Sequence, residues 1–106
     1  MPRYIMVYKD KDPNGMAEMP KEQIAKVMEA WGEWLGMMGK SVVDPGDAFK
    51  PGAKVVDSNG VQDANSTLSG YTIIDAKDFD QALEFAKGNP GIADGTRVEV
   101  YEAFGL

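Results

Sequence analysis

The feature that most constrains this chain is a run of apolar residues between positions 24 and 38. Ile24, Val27, Met28, Trp31, Leu35 and Met38 recur at i, i+3, i+4, i+7, i+11 and i+14. That spacing predicts an amphipathic α-helix with one buried stripe. Pro20 suits its first turn and Gly39 ends it. A helix with a single apolar stripe must lie on something, so the flanking segments need to supply a sheet.

They do. "RYIMVY" (residues 3–8) reads as a strand because it is rich in β-branched and aromatic residues. "KDKDPNG" after it is a turn-rich loop. Residues 41–67 predict two or three short strands: "SVV", then a hairpin around Ser58-Asn59-Gly60 within "AKVVDSNGVQD". "LSGYTIID" is a further strand. Asp78, with Gln81 three residues on, caps a second helix whose buried face is Phe79, Ala82, Leu83 and Ala86. Gly88 and Pro90 stop that helix, which leaves Phe85 off its buried face. "TRVEVYEAF" is the closing strand.

The order is β-α-β(ββ)-β-α-β in a single domain, residues 1–106. It predicts an α+β, ferredoxin-like subunit: an antiparallel sheet with two helices on one face. Alternation gives β-strand 3–8 two apolar sides, Ile5 with Val7 and Tyr4 with Met6 and Tyr8. The face without helices then needs a cover, and a second copy of the chain is the simplest one, so a homodimer is expected.

Composition narrows the chemistry. The chain has 106 residues, no cysteine, no histidine and a formal net charge of −6. Thiolate nucleophiles, Ser-His-Asp machinery and N/S zinc sites are excluded, and an acid or base must be Asp, Glu, Tyr or Lys. The negative charge argues against nucleic acid and against anionic membrane surfaces. No apolar run reaches a membrane span and the start lacks a signal-peptide core, so a cytoplasmic protein is expected. Asn65-Ser66-Thr67 has the pattern of a glycosylation acceptor, without consequence in that compartment.

Several residues could carry a site. "DKDPNG" mimics the start of a calcium loop through Asp10, Asp12, Asn14 and Gly15, but position twelve is Lys21. A polar turn explains it as well, and no metal site or cofactor is assigned. Asp44 and Asp47 in "VVDPGDAF" end a strand; Asp44 is the candidate catalytic carboxylate, against a plain turn role. Tyr4, Met6, Tyr8, Tyr71, Arg97, Glu99 and Tyr101 could converge on the helix-free face as ligand contacts or as a subunit interface. At about 100° per residue, Trp31 falls at the centre of the helical stripe and Trp34 at its edge. Trp31 is expected in the core and Trp34 as a half-exposed structural residue at the stripe's edge, with a pocket wall or the edge of an interface as its alternatives. Gly32 and Gly36, on the other flank, suggest a close-passing backbone.

"LSGYTIIDAKDFDQALEFAKGNPGIADGTRVEVYE" closely resembles the C-terminal half of YCII-related proteins, and "KVMEAWGEWLGMMGKSVVDPGDAF" resembles the first helix and second strand of a subgroup of them. The resemblance implies a dimeric α/β barrel whose two ferredoxin-like subunits pair sheet to sheet. Relatives with that fold include isomerases, dehalogenases and cofactor-free monooxygenases acting on aromatic or lactone substrates, and others look like accessory proteins. The resemblance also implies a His-Asp catalytic pair, for which Asp44 is the approximate match for the acid and no histidine is present. Where subgroup members have Cys-Pro-His, this chain has Asn89-Pro90-Gly91.

Two functions are therefore expected as alternatives. One is binding of a small, partly apolar aromatic or lactone-like molecule in a cleft of the dimeric barrel, with Asp44, Tyr8, Trp34, Tyr71 and Tyr101 as contacts. The other is a non-catalytic accessory or regulatory homodimer. The first predicts a closed apolar cavity of at least about 300 Å³ beside Trp31, Trp34 or Tyr8, with the Asp44 carboxylate inside it.

Overall fold

The structure, a computed structural model, describes residues 1–11 and 18–106. Strand β1 (Arg3–Lys9) leads to helix α1 (Lys21–Met38), a 3-10 turn (Gly39–Ser41) and strand β2 (Val42–Asp44). A hairpin of β3 (Lys54–Asp57) and β4 (Gly60–Asp63) precedes β5 (Leu68–Asp75). Helix α2 (Phe79–Lys87), a second 3-10 turn (Pro90–Asp94) and β6 (Arg97–Glu102) complete the chain. No described helix is long and apolar enough to cross a membrane.

The main sheet has the order β2-β5-β1-β6, with every neighbouring pair antiparallel. Each crossover, β1-α1-β2 and β5-α2-β6, therefore skips one strand. This is the expected ferredoxin-like arrangement. The β3–β4 hairpin turns at Ser58-Asn59, as the sequence predicts, but forms a separate two-stranded sheet exposed along its length.

Local signals hold where they are short-range. Asp78 accepts the backbone N–H of Gln81 at 2.8 Å. The Gln81 side chain returns to the Lys77 N–H at 2.6 Å, which completes the reciprocal cap one residue earlier than expected.

Long-range expectations are corrected at three places. Tyr4, Met6 and Tyr8 do not line the helix-free face; they lie beneath the helices with Thr72 and Ile74, all nearly inaccessible. Tyr71 stands opposite Val7 in the ladder, so it faces away from Tyr8. On α1 the tryptophans exchange roles: Trp34 is buried at 4% exposure, while Trp31 is half-buried. Only the C-terminal half of the helix is buried deeply, through Trp34 and Met38, whereas Met28 is 60% exposed. Lastly, Phe85 packs on the core, while Phe79 and Leu83 stay partly exposed.

Aromatic edges hold the helical layer to the sheet. Tyr8 meets Trp31 and Trp34 edge-on, with ring centroids 4.8 and 6.5 Å apart, and the two indoles meet each other at 90°. Such pairs add about 0.5–1.5 kcal/mol each beyond area burial. The Trp34 indole N–H donates to the Phe85 carbonyl at 2.9 Å, tying α1 to the end of α2. The Gly32 and Gly36 flank meets no backbone: a Cβ at either position would find no atom within 4 Å.

Candidate functional site

On β1 and β5 the residues left facing away from the helices are Ile5, Val7, Tyr71 and Ile73, all half-buried. They form an apolar strip across the middle of the sheet. Ion pairs bound it: Arg3 with Asp75 at 3.1 Å at one end, Lys9 with Glu99 at 3.0 Å at the other. Two tyrosine–carboxylate pairs flank it on opposite sides.

The first pair is built by the "DPGD" turn. Asp44 ends the edge strand β2, and one carboxylate oxygen accepts the Gly46 N–H at 2.8 Å. Gly46 has φ 76°, and a Cβ there would overlap the Tyr71 carbonyl oxygen, so the turn lies directly on β5. That close approach brings the other Asp44 oxygen to the Tyr71 hydroxyl, which donates to it at 3.0 Å. Phe49 stacks on the Tyr71 ring, centroids 6.2 Å apart. The hydrogen bond to Asp44, with that carboxyl's charge, raises the Tyr71 pKa above its ordinary value. Tyr71 is thereby held as a neutral donor. Asp44 has two acceptor sites engaged and lone pairs to spare for a ligand. Asp47, by contrast, accepts its neighbour Ala48 N–H at 2.8 Å and serves the turn.

The second pair lies on β6. Tyr101 donates to Glu99 at 2.6 Å, and the Lys9 ammonium holds the other Glu99 oxygen. The Tyr101 bond and then the Lys9 bond lower the Glu99 pKa, and the same carboxylate raises that of Tyr101. These groups border an open groove of about 510 Å³, floored by Val7 and Leu68 and closed on one side by residues 65–67.

The cavity expected beside Trp34 is much smaller. A hollow of about 90 Å³ lies between Trp34, Met38, Phe85 and Gly88, below the size of a ligand pocket, and Asp44 is not on its wall. Tyr8 is likewise a packed side chain. Its hydroxyl meets Thr72 Oγ1 at 2.6 Å, and Thr72 donates to the Pro45 carbonyl at 3.0 Å. Burial pushes the Tyr8 pKa up to about 12. The structure therefore separates the predicted contacts: Asp44, Tyr71 and Tyr101 lie on the helix-free side, Tyr8 and Trp34 in the core.

Sequence reasoning missed Lys9 and Phe49. Period-two alternation from Ile5 and Val7 would have placed Lys9 on the same face. Phe49 gave no signal, since its position depends on the turn at Gly46. Of the calcium-like loop, Asp12, Asn14 and Gly15 lie outside the described residues, and Asp10 accepts a hydrogen bond from Thr96 at 2.6 Å. Among the described residues no three acidic side chains gather closely enough to hold a metal ion.

Comparison with known proteins fits this architecture. The family model described as YCII-related domain matches residues 3–103. Among solved structures, the chain is similar to 5-chloro-2-hydroxyhydroquinone dehydrochlorinase from Burkholderia phenoliruptrix AC1100, determined in complex with 2,5-dihydroxybenzoquinone. The TM-score is 0.60 at 14% identity, over 93% of this chain and 90% of that one. No curated protein matches.

Proposed function

This chain belongs to the YCII-related domain family, and from that premise we propose that it binds a small, partly apolar cyclic molecule on the helix-free face of its sheet. One observation carries the reading: an apolar strip lies between two tyrosine–carboxylate pairs, Tyr71 with Asp44 and Tyr101 with Glu99. A ring fits the strip, and ring oxygens fit the pairs. A similarly folded chain is named for a dehydrochlorinase reaction on a hydroxylated ring, which supports the same ligand class here.

If the site is catalytic, Asp44 is the base and Tyr71 the donor. The carboxylate would accept a proton from a ring hydroxyl or from a carbon next to a carbonyl. As Asp44 takes that proton, the phenol releases its hydrogen bond to the carboxylate and turns its one hydrogen to the oxygen on which charge develops. Tyr8 and Trp34 support the strand from beneath as packing groups. The proposed unit is a homodimer, set in the cytoplasm, in which a second copy of the sheet roofs the strip. Half-buried Ile5, Val7 and Ile73 favour that cover.

Calorimetric titration with 2,5-dihydroxybenzoquinone tests the ligand. Saturable binding weakened at least tenfold by both Tyr71→Phe and Asp44→Asn is expected; binding indifferent to both variants, or none at millimolar ligand, refutes it. Sedimentation tests the dimer, and a monomeric mass at micromolar concentration would refute that.

A second reading, an accessory homodimer acting through protein contacts, is favoured by the hairpin, where Val56 and Val61 are 75% and 67% exposed. Replacing both with threonine would leave ligand binding intact and abolish partner contacts if that reading holds.

A further inference from the structure

The groove at the β1–β6 end of the strip carries more information than its size. Lys9 and Arg97 are directly opposed across the β1–β6 ladder and point to the same side of the sheet. Like charges opposed in this way disfavour the pairing. Glu99, one same-face position further along, forms its ion pair with Lys9 and feels Arg97 only through its charge at longer range. Among the described residues Arg97 has no carboxylate at ion-pair distance. Lys9 thus lines an apolar-floored groove, with Arg97 beside it on the same face just outside the lining, in a chain whose net charge is −6.

The loop beside it adds hydrogen-bond donors. Ser66 Oγ accepts the Leu68 N–H at 3.1 Å, which leaves its own hydroxyl hydrogen available. The Asn65 side chain is exposed next to it on the groove wall. The sequon-like Asn65-Ser66-Thr67 segment thereby gains a structural place. Asn65, Ser66 and Lys9 line the groove as donors, and the carboxylate acceptor Glu99 stands between Lys9 and Tyr101.

We propose that this groove binds a small monocyclic hydroxy acid. Its carboxylate meets Lys9 and Arg97 with the Asn65-Ser66 donors, its ring lies on Val7 and Leu68, and its hydroxyl donates to Glu99. The groove is open to solvent, so a ligand there would keep one face exposed. The Tyr101 and Lys9 hydrogen bonds lower the Glu99 pKa, in the direction that favours the carboxylate acceptor. The proposal rests on the small-molecule reading above and names the ligand class for it.

Calorimetric titration of the full chain with 4-hydroxybenzoate, benzoate and phenol, each separately, tests it. The hydroxy acid should bind at least tenfold more tightly than either single-function probe. Lys9→Met and Arg97→Gln should each weaken it at least fivefold, and Arg97→Gln should leave phenol unchanged. Circular dichroism melts of these exposed-site variants check that folding is retained. Absence of binding by either acid, or affinities that ignore both variants, would overturn the proposal. A change in sedimentation mass without a change in affinity would also overturn it, by assigning the cations to a subunit contact. Should 2,5-dihydroxybenzoquinone still bind in an Asp44- and Tyr71-dependent way, the broader reading survives alone. Conversely, acid binding that needs Lys9 and Arg97 but neither Asp44 nor Tyr71 upholds the groove and removes the Asp44–Tyr71 site.

Discussion

Tyr71 donates its hydroxyl hydrogen to Asp44 across 3.0 Å, joining a central strand to the edge strand beside it. The contact depends on a turn that only glycine can make, because Gly46 rests on the Tyr71 carbonyl. Turn, strand and carboxylate therefore form one unit, and a change in any part should be felt in the others.

The Asp44 carboxylate raises the Tyr71 pKa, through the hydrogen bond first and its charge second. Asp44→Asn should bring the Tyr71 ionisation back toward 10, seen as an earlier phenolate absorbance rise near 295 nm in an alkaline titration, with Tyr71→Phe identifying the step. An unchanged titration would show that the pair does not persist in solution.

Gly46→Ala should destabilise the fold by more than about 3 kcal/mol, since strain at positive φ and backbone overlap act together. Denaturant unfolding measures it. Gly32→Ala, made where no atom lies within 4 Å of the added carbon, should instead stabilise by about 0.5–1 kcal/mol through helix propensity. Loss of stability there would reveal a neighbour supplied by another copy.

Trp34→Phe removes a buried ring edge and the hydrogen bond to the Phe85 carbonyl, at a cost of about 2–3 kcal/mol. Trp31→Phe should cost about half as much, because Trp31 retains solvent contact. Melting temperatures of the two variants compare them directly, and equal costs would contradict the burial difference.

Tyr8 supplies a pH signature. Burial lifts its hydroxyl from 10.0 to about 12, against a smaller opposing effect from Thr72. The folded chain thus retains a proton that the unfolded chain releases. Stability from this group is complete below pH 10 and is lost as pH rises toward 12, by about 3 kcal/mol. Urea midpoints of the wild-type chain should fall across this window more steeply than those of Tyr8→Phe. Parallel slopes would remove the assignment.

Secondary structure and topology were readable because they follow from spacing that neighbours impose on one another. The 3.6-residue stripe of α1, the Asp78–Gln81 cap, the Ser58-Asn59 turn and the alternating strands each need only a few consecutive residues. Asp44 was legible as a candidate because a chain without histidine or cysteine has few other bases. Its partner was not, since Tyr71 lies 27 positions away and meets it only through the fold.

By itself, then, the amino-acid sequence determined the elements, their order, the family and the narrow set of groups able to do chemistry. Tertiary structure alone decided which side each alternating set faces. Both sides of β1 are apolar, so the period of two cannot say whether Tyr8 or Val7 meets the helices. Docking of the C-terminal half of α1 settles it, burying Trp34 and Met38 over Tyr8 and leaving Val7, Tyr71 and Tyr101 on the opposite side. The physical reason is that a strand's pattern fixes relative orientation between neighbours, whereas burial depends on where a distant helix comes to rest.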